Sequence, residues 1–425
     1  MSHSERRDFL LQAAAAGTAL LAHSPLSSAS VRSAAGGLGS GTEAQGLWGR
    51  VRAGYSFSHQ LLNLNNAGVS PQPRVVQDAL IRAYRFANEL PDVNMWEVLD
   101  ATRLRTKQKL AALADCAPEE IALNRNATEG LCTVIYGLSL SPGDEVVISD
   151  WDYQSLRHAW QQRATREGIV LRSVDFPVNA DDDTIIAAYR GAITARTKVL
   201  YLTHVVHYTG AVTPVAALCA IARAAGIQTI VDAAQSFAQY PVSFRSIGCD
   251  YLAVSLHKWL CAPFGTGMLI VRKERIEPLW PLLAPFDDPA RGIARLDGSA
   301  LGTYCSPAEH AIEPAIDFHH QIGSEAIHRR LHELSRYWIE AVRDIPGFEL
   351  HTPLTDTSPT AVATFSLKQL PADDLEAVLR SRHAIHVLAR HRGSFSGVRV
   401  SPHVYTQQAE LDRFVRALHA VAVAA

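Results

Sequence analysis

The sequence predicts an α/β fold. Short apolar runs of strand length alternate along the chain with stretches whose apolar residues recur at helical spacing. One such run, 228–231, ends in Asp232-Ala233-Ala234-Gln235-Ser236, and α/β folds build ligand sites at the carboxyl ends of their parallel strands. With 425 residues the chain has room for two lobes, at about 150 residues per domain. It is 48% hydrophobic and 19% charged, which is ordinary for a globular protein and excludes disordered and collagen-like classes. A net charge of −2 offers no basic footprint for nucleic acid. Six cysteines without a CxxC pair indicate neither a disulfide framework nor a zinc site, and no metal is expected. Past the N-terminus no apolar stretch is long enough to span a bilayer.

The elements follow in order. Ser4-Glu5-Arg6-Arg7-Asp8-Phe9 precedes an uncharged run, 13–22, and then Ser27-Ser28-Ala29-Ser30. This is the layout of a signal peptide over residues 1–30, and the paired arginines resemble a twin-arginine signal. The expected location is periplasmic, after export in folded form, and cytoplasmic if the run is instead an Ala-rich helix. Residues 31–45, rich in Gly, Ser and Ala, read as a linker. Residues 61–64 form a short strand running into a turn at Asn65-Asn66-Ala67-Gly68. Helical spacing over 75–113 predicts two helices interrupted near Pro91. After a brief strand, 121–123, Asn126-Ala127-Thr128-Glu129-Gly130 opens a helix to 138. Free amides at such a start bind anions, so a phosphate is expected on Ala127 and Thr128. Strands are predicted at 145–149, 169–174 and 197–202, with a helix over 183–193. The runs 228–231, 251–254 and 268–271 are buried strands. Residues 307–342 are helical, and strands follow at 361–366 and 385–388 around a helix at 372–382. Arg399 lies between apolar strand positions before a last helix, 408–423.

The chemistry centres on Ser255-Leu256-His257-Lys258-Trp259, between two apolar strands. A lysine held there is desolvated, which lowers its pKa toward a nucleophilic amine able to form a Schiff base with an aldehyde cofactor. The plainer alternative is a strand-end lysine that snorkels to water. Asp232 lies one helix-plus-strand unit earlier. Pyridoxal 5′-phosphate needs an acid on its pyridine nitrogen and a lysine on its aldehyde. V-D-A-A-Q-S followed by S-L-H-K-W-L-C-A-P-F-G-T-G resembles the class V aminotransferase branch of fold type I pyridoxal phosphate enzymes. The H-K-W-L-C-A-P-x-G form is most similar to its isopenicillin-N-epimerase-like members. The likeness covers roughly residues 60–415.

The resemblance implies a large α/β domain, 76–310, with a mainly parallel seven-stranded sheet, and a smaller α+β C-terminal domain, 311–425, joined by the segment 46–75. It implies that Lys258 carries the cofactor, that Asp232 pairs with the pyridine nitrogen and that Gln235 bonds O3′. Ser255 and His257 would hold the phosphate with Ala127, Thr128 and a neighbouring subunit's Thr303, so a homodimer is expected. Tyr304 stands where the family often has Arg. Tyr153 is the expected stacking ring, with Trp151 as competitor. Asn66 falls in the entry segment near the substrate, where a plain turn is the alternative. His207 falls where the family often has Asn; it could donate to O3′, shuttle protons or be a satisfied loop histidine. Arg399 matches the arginine that binds the α-carboxylate of the substrate, a role its planar fork suits; a structural salt bridge is the alternative. The implied activity is that of an aminotransferase or amino-acid epimerase acting on an α-amino acid, a small-molecule substrate whose side chain the sequence does not name. A C–S lyase or desulfurase comes next, although residues 381–396 contain no cysteine. A non-catalytic exported amine-binding protein is a third reading, which intact Asp232 and Lys258 disfavour.

Overall fold

A computed structural model describes residues 41–285, 292–353 and 360–424. The expected signal peptide and residues 31–40 of the expected linker lie outside them. Residues 41–45 begin the helix Gly41–Ala53, where composition suggested a linker. Val51 of that helix is buried in the main core and Leu47 and Trp48 pack on it, and this packing outweighs the Gly-rich local sequence.

Thirteen strands are described: β1 Leu62–Asn63, β2 Ile121–Asn124, β3 Glu145–Ser149, β4 Val170–Val174, β5 Thr197–Thr203, β6 Gln228–Asp232, β7 Tyr251–Ser255, β8 Gly267–Val271, β9 Phe348–Leu350, β10 Ala363–Leu367, β11 Ile385–His386, β12 Leu388–Arg392 and β13 Phe395–Val400. Seven form the large sheet, in the order β2-β8-β7-β6-β5-β3-β4. Its pairings are parallel except those of β8, which runs against β2 and β7. Alternate residues of the central strands enter cores on opposite faces. Leu200, Leu202, Val231, Leu252 and Val254 join one; Val199, Tyr201, Ile230, Tyr251 and Ala253 join the other. A sheet covered on both faces explains why these strands read as continuous apolar runs. The parallel arrangement also brings Ser149, Thr203, Asp232 and Ser255 to the same edge.

The smaller sheet is antiparallel, in the order β12-β13-β10-β9. Trp338, Phe365, Leu379 and Phe414 anchor its core. The N-terminal segment crosses to it: β1 pairs with β11 in parallel, Leu62 opposite Ile385, and Asn65 bridges Ser401.

Three features differ from the sequence reading. The region 306–342 is three helices, broken again at Gly323 (φ 91°). The interruption expected near Pro91-Asp92-Val93-Asn94 is present but is confined to the extended Leu90, as expected of a residue before proline; from Pro91 to Thr102 the chain is helical, including a π-helical stretch, Asn94–Leu99. Beyond 385 there is a short strand and then the hairpin β12–β13; strand was expected at 385–388 and around Arg399, but not along 389–392 of β12. Leu-Ala-Arg-His-Arg has no apolar alternation to mark it.

Candidate active site

β7 ends at Ser255, and the chain turns back into β8 through a loop that hydrogen-bonds to itself. Leu256 N donates to Thr266 O (3.0 Å) and Ala262 N to Leu256 O (3.1 Å). His257 Nδ1 donates to Thr266 O (3.1 Å), which fixes the tautomer of the neutral ring. Cys261 adopts φ 57°, and its Sγ lies 3.4 Å from His403 Nε2. Lys258 sits at the head of this loop, and its Nζ meets no hydrogen-bond partner among the described residues. Burial lowers its ammonium to about 8; Asp232 opposes that shift, while Arg399 and Arg390 add to it.

Asp232 closes β6 two strands from β8. Its Oδ1 accepts from Ala234 N (2.9 Å). Burial raises its carboxyl pKa, against the Ala234 hydrogen bond and the Lys258 charge. Asp152, which sequence reasoning passed over, is also buried, accepting from Thr203 Oγ1 (2.7 Å) and Ser149 N (2.6 Å). Burial raises it to about 7.

The helix Ala127–Gly137 starts beside the end of β7. Asn126 caps it, Oδ1 accepting from Glu129 N (2.9 Å). Ser255 Oγ accepts from Ala127 N (3.0 Å), which leaves the hydroxyl hydrogen for another acceptor. The Thr128 amide lies in the first turn, where no intrahelical acceptor exists. Ser255 and Thr128 thus meet at one anion-ready corner, while the Ala127 amide, expected to bind the phosphate itself, is engaged by Ser255 Oγ. Gly267 makes the approach possible: a Cβ there would lie 2.6 Å from Asn126 Cα. Gln235 Nε2 donates to Ala67 O (2.8 Å), and its Oε1 accepts from Trp259 Nε1 (3.0 Å), so one amide hydrogen remains for a ligand. Thr303 is exposed, outside this cluster in the single chain.

The aromatic candidates separate. Trp151 is core: it is buried against Phe176, Tyr208 and Phe395 and donates Nε1 to Phe176 O (2.9 Å). Tyr153 is 39% exposed, with its ring 5.2 Å from that of His207. His207 is buried against Tyr208 at 3.9 Å, and its Nδ1 has no partner among the described residues. Burial holds its imidazole neutral, with Arg390, Arg399 and Lys258 adding to the effect.

Arg399 on β13 is 0% exposed. One guanidinium nitrogen donates to His207 O (2.9 Å), another to Asn65 Oδ1 (2.8 Å), and Nε has no acceptor. No carboxylate lies within salt-bridge distance of it among the described residues. Asn65, not Asn66, is therefore the entry-segment contact to this arginine. Asn66 uses its amide inside the protein, accepting from Tyr405 OH (2.7 Å) and donating to Ser401 O (2.9 Å). Sequence reasoning also missed Arg390, on β12. It is half-buried with an unpartnered Nε.

The chain matches the family described as "Aminotransferase class-V" over residues 62–414. It belongs to the class-V aminotransferase family. A curated relative, isopenicillin N epimerase of Streptomyces clavuligerus, is 31% identical, the alignment covering 88% of this chain and 98% of that one. A probable cysteine desulfurase of Synechocystis sp. is 28% identical over 85% of this chain and 91% of its own. Among solved structures, the apo cysteine desulfurase of Thermococcus onnurineus NA1 superposes with a TM-score of 0.79 at 22% identity, covering 89% of this chain and 98% of that chain. The fold is that of fold type I enzymes, and the class-V cofactor is pyridoxal 5′-phosphate. The residues present fit it. An unbonded amine at the half-buried Lys258, an acid at Asp232 and an anion-ready helix start with Ser255 are the three groups that the aldehyde, the pyridine nitrogen and the phosphate require.

Proposed function

We propose that this class-V enzyme acts on an α-amino acid and moves a proton at its Cα, as an amino-acid epimerase or an aminotransferase. The observation that carries the reading is Arg399: a fully buried guanidinium with no carboxylate partner among the described residues, near enough for its charge to act on Lys258. A buried charge is costly unless paired, and the α-carboxylate of an amino acid is the pairing group that suits both the arginine fork and the lysine chemistry. Bound pyridoxal phosphate supplies the electron-withdrawing ring that stabilises charge developing at Cα. Asp232 would hold the proton on the pyridine nitrogen. Lys258, lowered to about 8, is partly neutral near pH 7 and able to take the Cα proton. The neutral imidazole of His207 supplies a second proton carrier beside it. Return of the proton to Cα by a group on the other face would give epimerisation; transamination would need Lys258 to move the proton away from Cα, with the bound cofactor supplying the acceptor.

The relatives named as desulfurases support a second reading, C–S bond cleavage. Two features weigh against it, although Cys305 is free and exposed. The hairpin β12–β13 has no cysteine. Cys261 is buried, and burial raises its thiol to about 12.

The test is an amino-acid panel in D2O, read by Cα exchange and by change in cofactor absorbance, with Arg399→Ala and Arg399→Lys. Losing the charge-assisted partner should weaken amino-acid binding about 30-fold or more in Arg399→Ala while the cofactor stays bound. Arg399→Lys should recover part of it, since an ammonium does not reproduce the fork. Release of the cofactor, or undiminished affinity, would make the residue structural and sink the proposal.

A further inference from the structure

Arg399 has a companion. In the hairpin, Leu388 stands opposite Arg399 and Arg390 opposite Gly397. Alternate strand residues share a face, so Arg390 and Arg399 project from the same face as diagonal neighbours, about 7–8 Å apart at the backbone. On that face the sheet meets the large domain: Thr364, opposite Arg399 on β10, donates its hydroxyl to Tyr208 O. Arg390 makes no hydrogen bond and no ion pair among the described residues, and its Nε is shut off from water without an acceptor. Arg392, two residues on, shows that an arginine of this strand can find a carboxylate: it reaches Asp175 at 2.6 Å. Glu376, the acidic residue whose charge Arg390 feels, is used at the strand edge, where its Oε2 accepts from Ala389 N (2.6 Å).

The charges in the cleft do not balance. Lys258, Arg390 and Arg399 are mutually repelling cations, and Asp232 is the carboxylate that Lys258 feels. The cofactor phosphate belongs at the Ser255 and Thr128 corner, and one α-carboxylate satisfies Arg399. Arg390 is left over. We propose that Arg390 receives a second anionic group, and that the substrate is an α-amino acid with a carboxylate on its side chain. This rests on the amino-acid reading above and narrows it to acidic amino acids. Arg390 is then the residue that selects the side chain, while Arg399 selects the amino-acid frame.

The experiment has two arms on the cofactor-loaded protein. The first compares glutamate with glutamine, and aspartate with asparagine, by half-saturation of the absorbance change. The wild type should favour the acid over its amide by about tenfold or more. In Arg390→Gln that ratio should fall to near one, in Arg390→Lys it should persist in part, and in Arg390→Glu it should invert. The second arm measures glutarate against butyrate by calorimetry and needs no reaction. The dicarboxylate should bind more tightly, and Arg390→Gln should remove the difference. Equal response to glutamate and glutamine in the wild type would overturn the proposal. So would an Arg390→Gln variant that weakens both ligands alike, since Arg390 would then be a second clamp on the α-carboxylate. If no amino acid alters the absorbance, the amino-acid reading fails, and the glutarate-to-butyrate ratio still decides whether Arg390 recognises a second acid.

Discussion

Lys258 turns burial into reactivity. Its ordinary pKa of 10.5 is lowered to about 8, so the folded protein binds fewer protons at this site than the unfolded chain between those values. The sign follows: the stability cost of burying the ammonium is complete below about pH 8 and fades as pH rises toward 10.5. The amine that attacks the aldehyde is the neutral form. Capture of pyridoxal phosphate by cofactor-free protein, followed by absorbance, should therefore speed up about tenfold per pH unit below the midpoint and level off above it. A plateau near pH 8 is expected; a rate still climbing at pH 10 would show that burial does not act on this amine. Lys258, Asp232 and Arg399 were legible in the sequence because each sits at a strand end or inside a strand, in a pattern that a buried charge cannot occupy idly. Arg390 and Asn65 were not legible. Arg390 lies in a run of polar residues that reads as a surface loop, and Asn65 is set apart from Asn66 only by which way the chain turns after β1.

At the scale of elements, the strands of the large sheet were legible to within a residue or two because both faces are covered. Most of β12 was not, since the face it turns toward the large domain carries Arg390 and Arg392 in place of apolar residues. The helix start at Ala127 depends on a neighbour. Gly267 lies opposite Asn124 on β2 and Ser255 on β7, and an added Cβ would sit 2.5 Å from Asn124 Oδ1 and 2.6 Å from Asn126 Cα. Backbone cannot yield as a flexible side chain does, so Gly267→Ala should cost about 1–3 kcal/mol of stability. It should also weaken cofactor binding by pushing the Thr128 amide away from Ser255. Thermal unfolding and a cofactor titration measure the two effects separately. Unchanged cofactor affinity would detach this helix from phosphate binding. Gly210 does similar work between domains: it has φ +78°, and a Cβ would fall 1.8 Å from Val362 O, so the loop after β5 can lie directly against the approach to β10.

At the scale of the whole molecule, one face remains apolar and uncovered. Phe264 and Tyr84 are each 61% exposed. Together with Leu80, Ile81, Cys305 and Ala308 they line a cavity of about 420 Å³. Phe264 belongs to the Lys258 loop, and Cys305 is two residues from Thr303. We propose that a second copy covers this face in a two-fold dimer. Phe264→Glu should shift sedimentation toward monomer and loosen the cofactor together with the loop. A wild-type monomer with full activity at assay concentration would remove the proposal. Finally, Asn65 and Arg399 bond across 334 positions of sequence, and β1 has no sheet partner until β11 exists. The ribosome therefore releases almost the whole chain before the two ends can meet. Lys258 and Asp232 are synthesised much earlier, but the carboxylate clamp proposed for Arg399 is incomplete until the hairpin has docked.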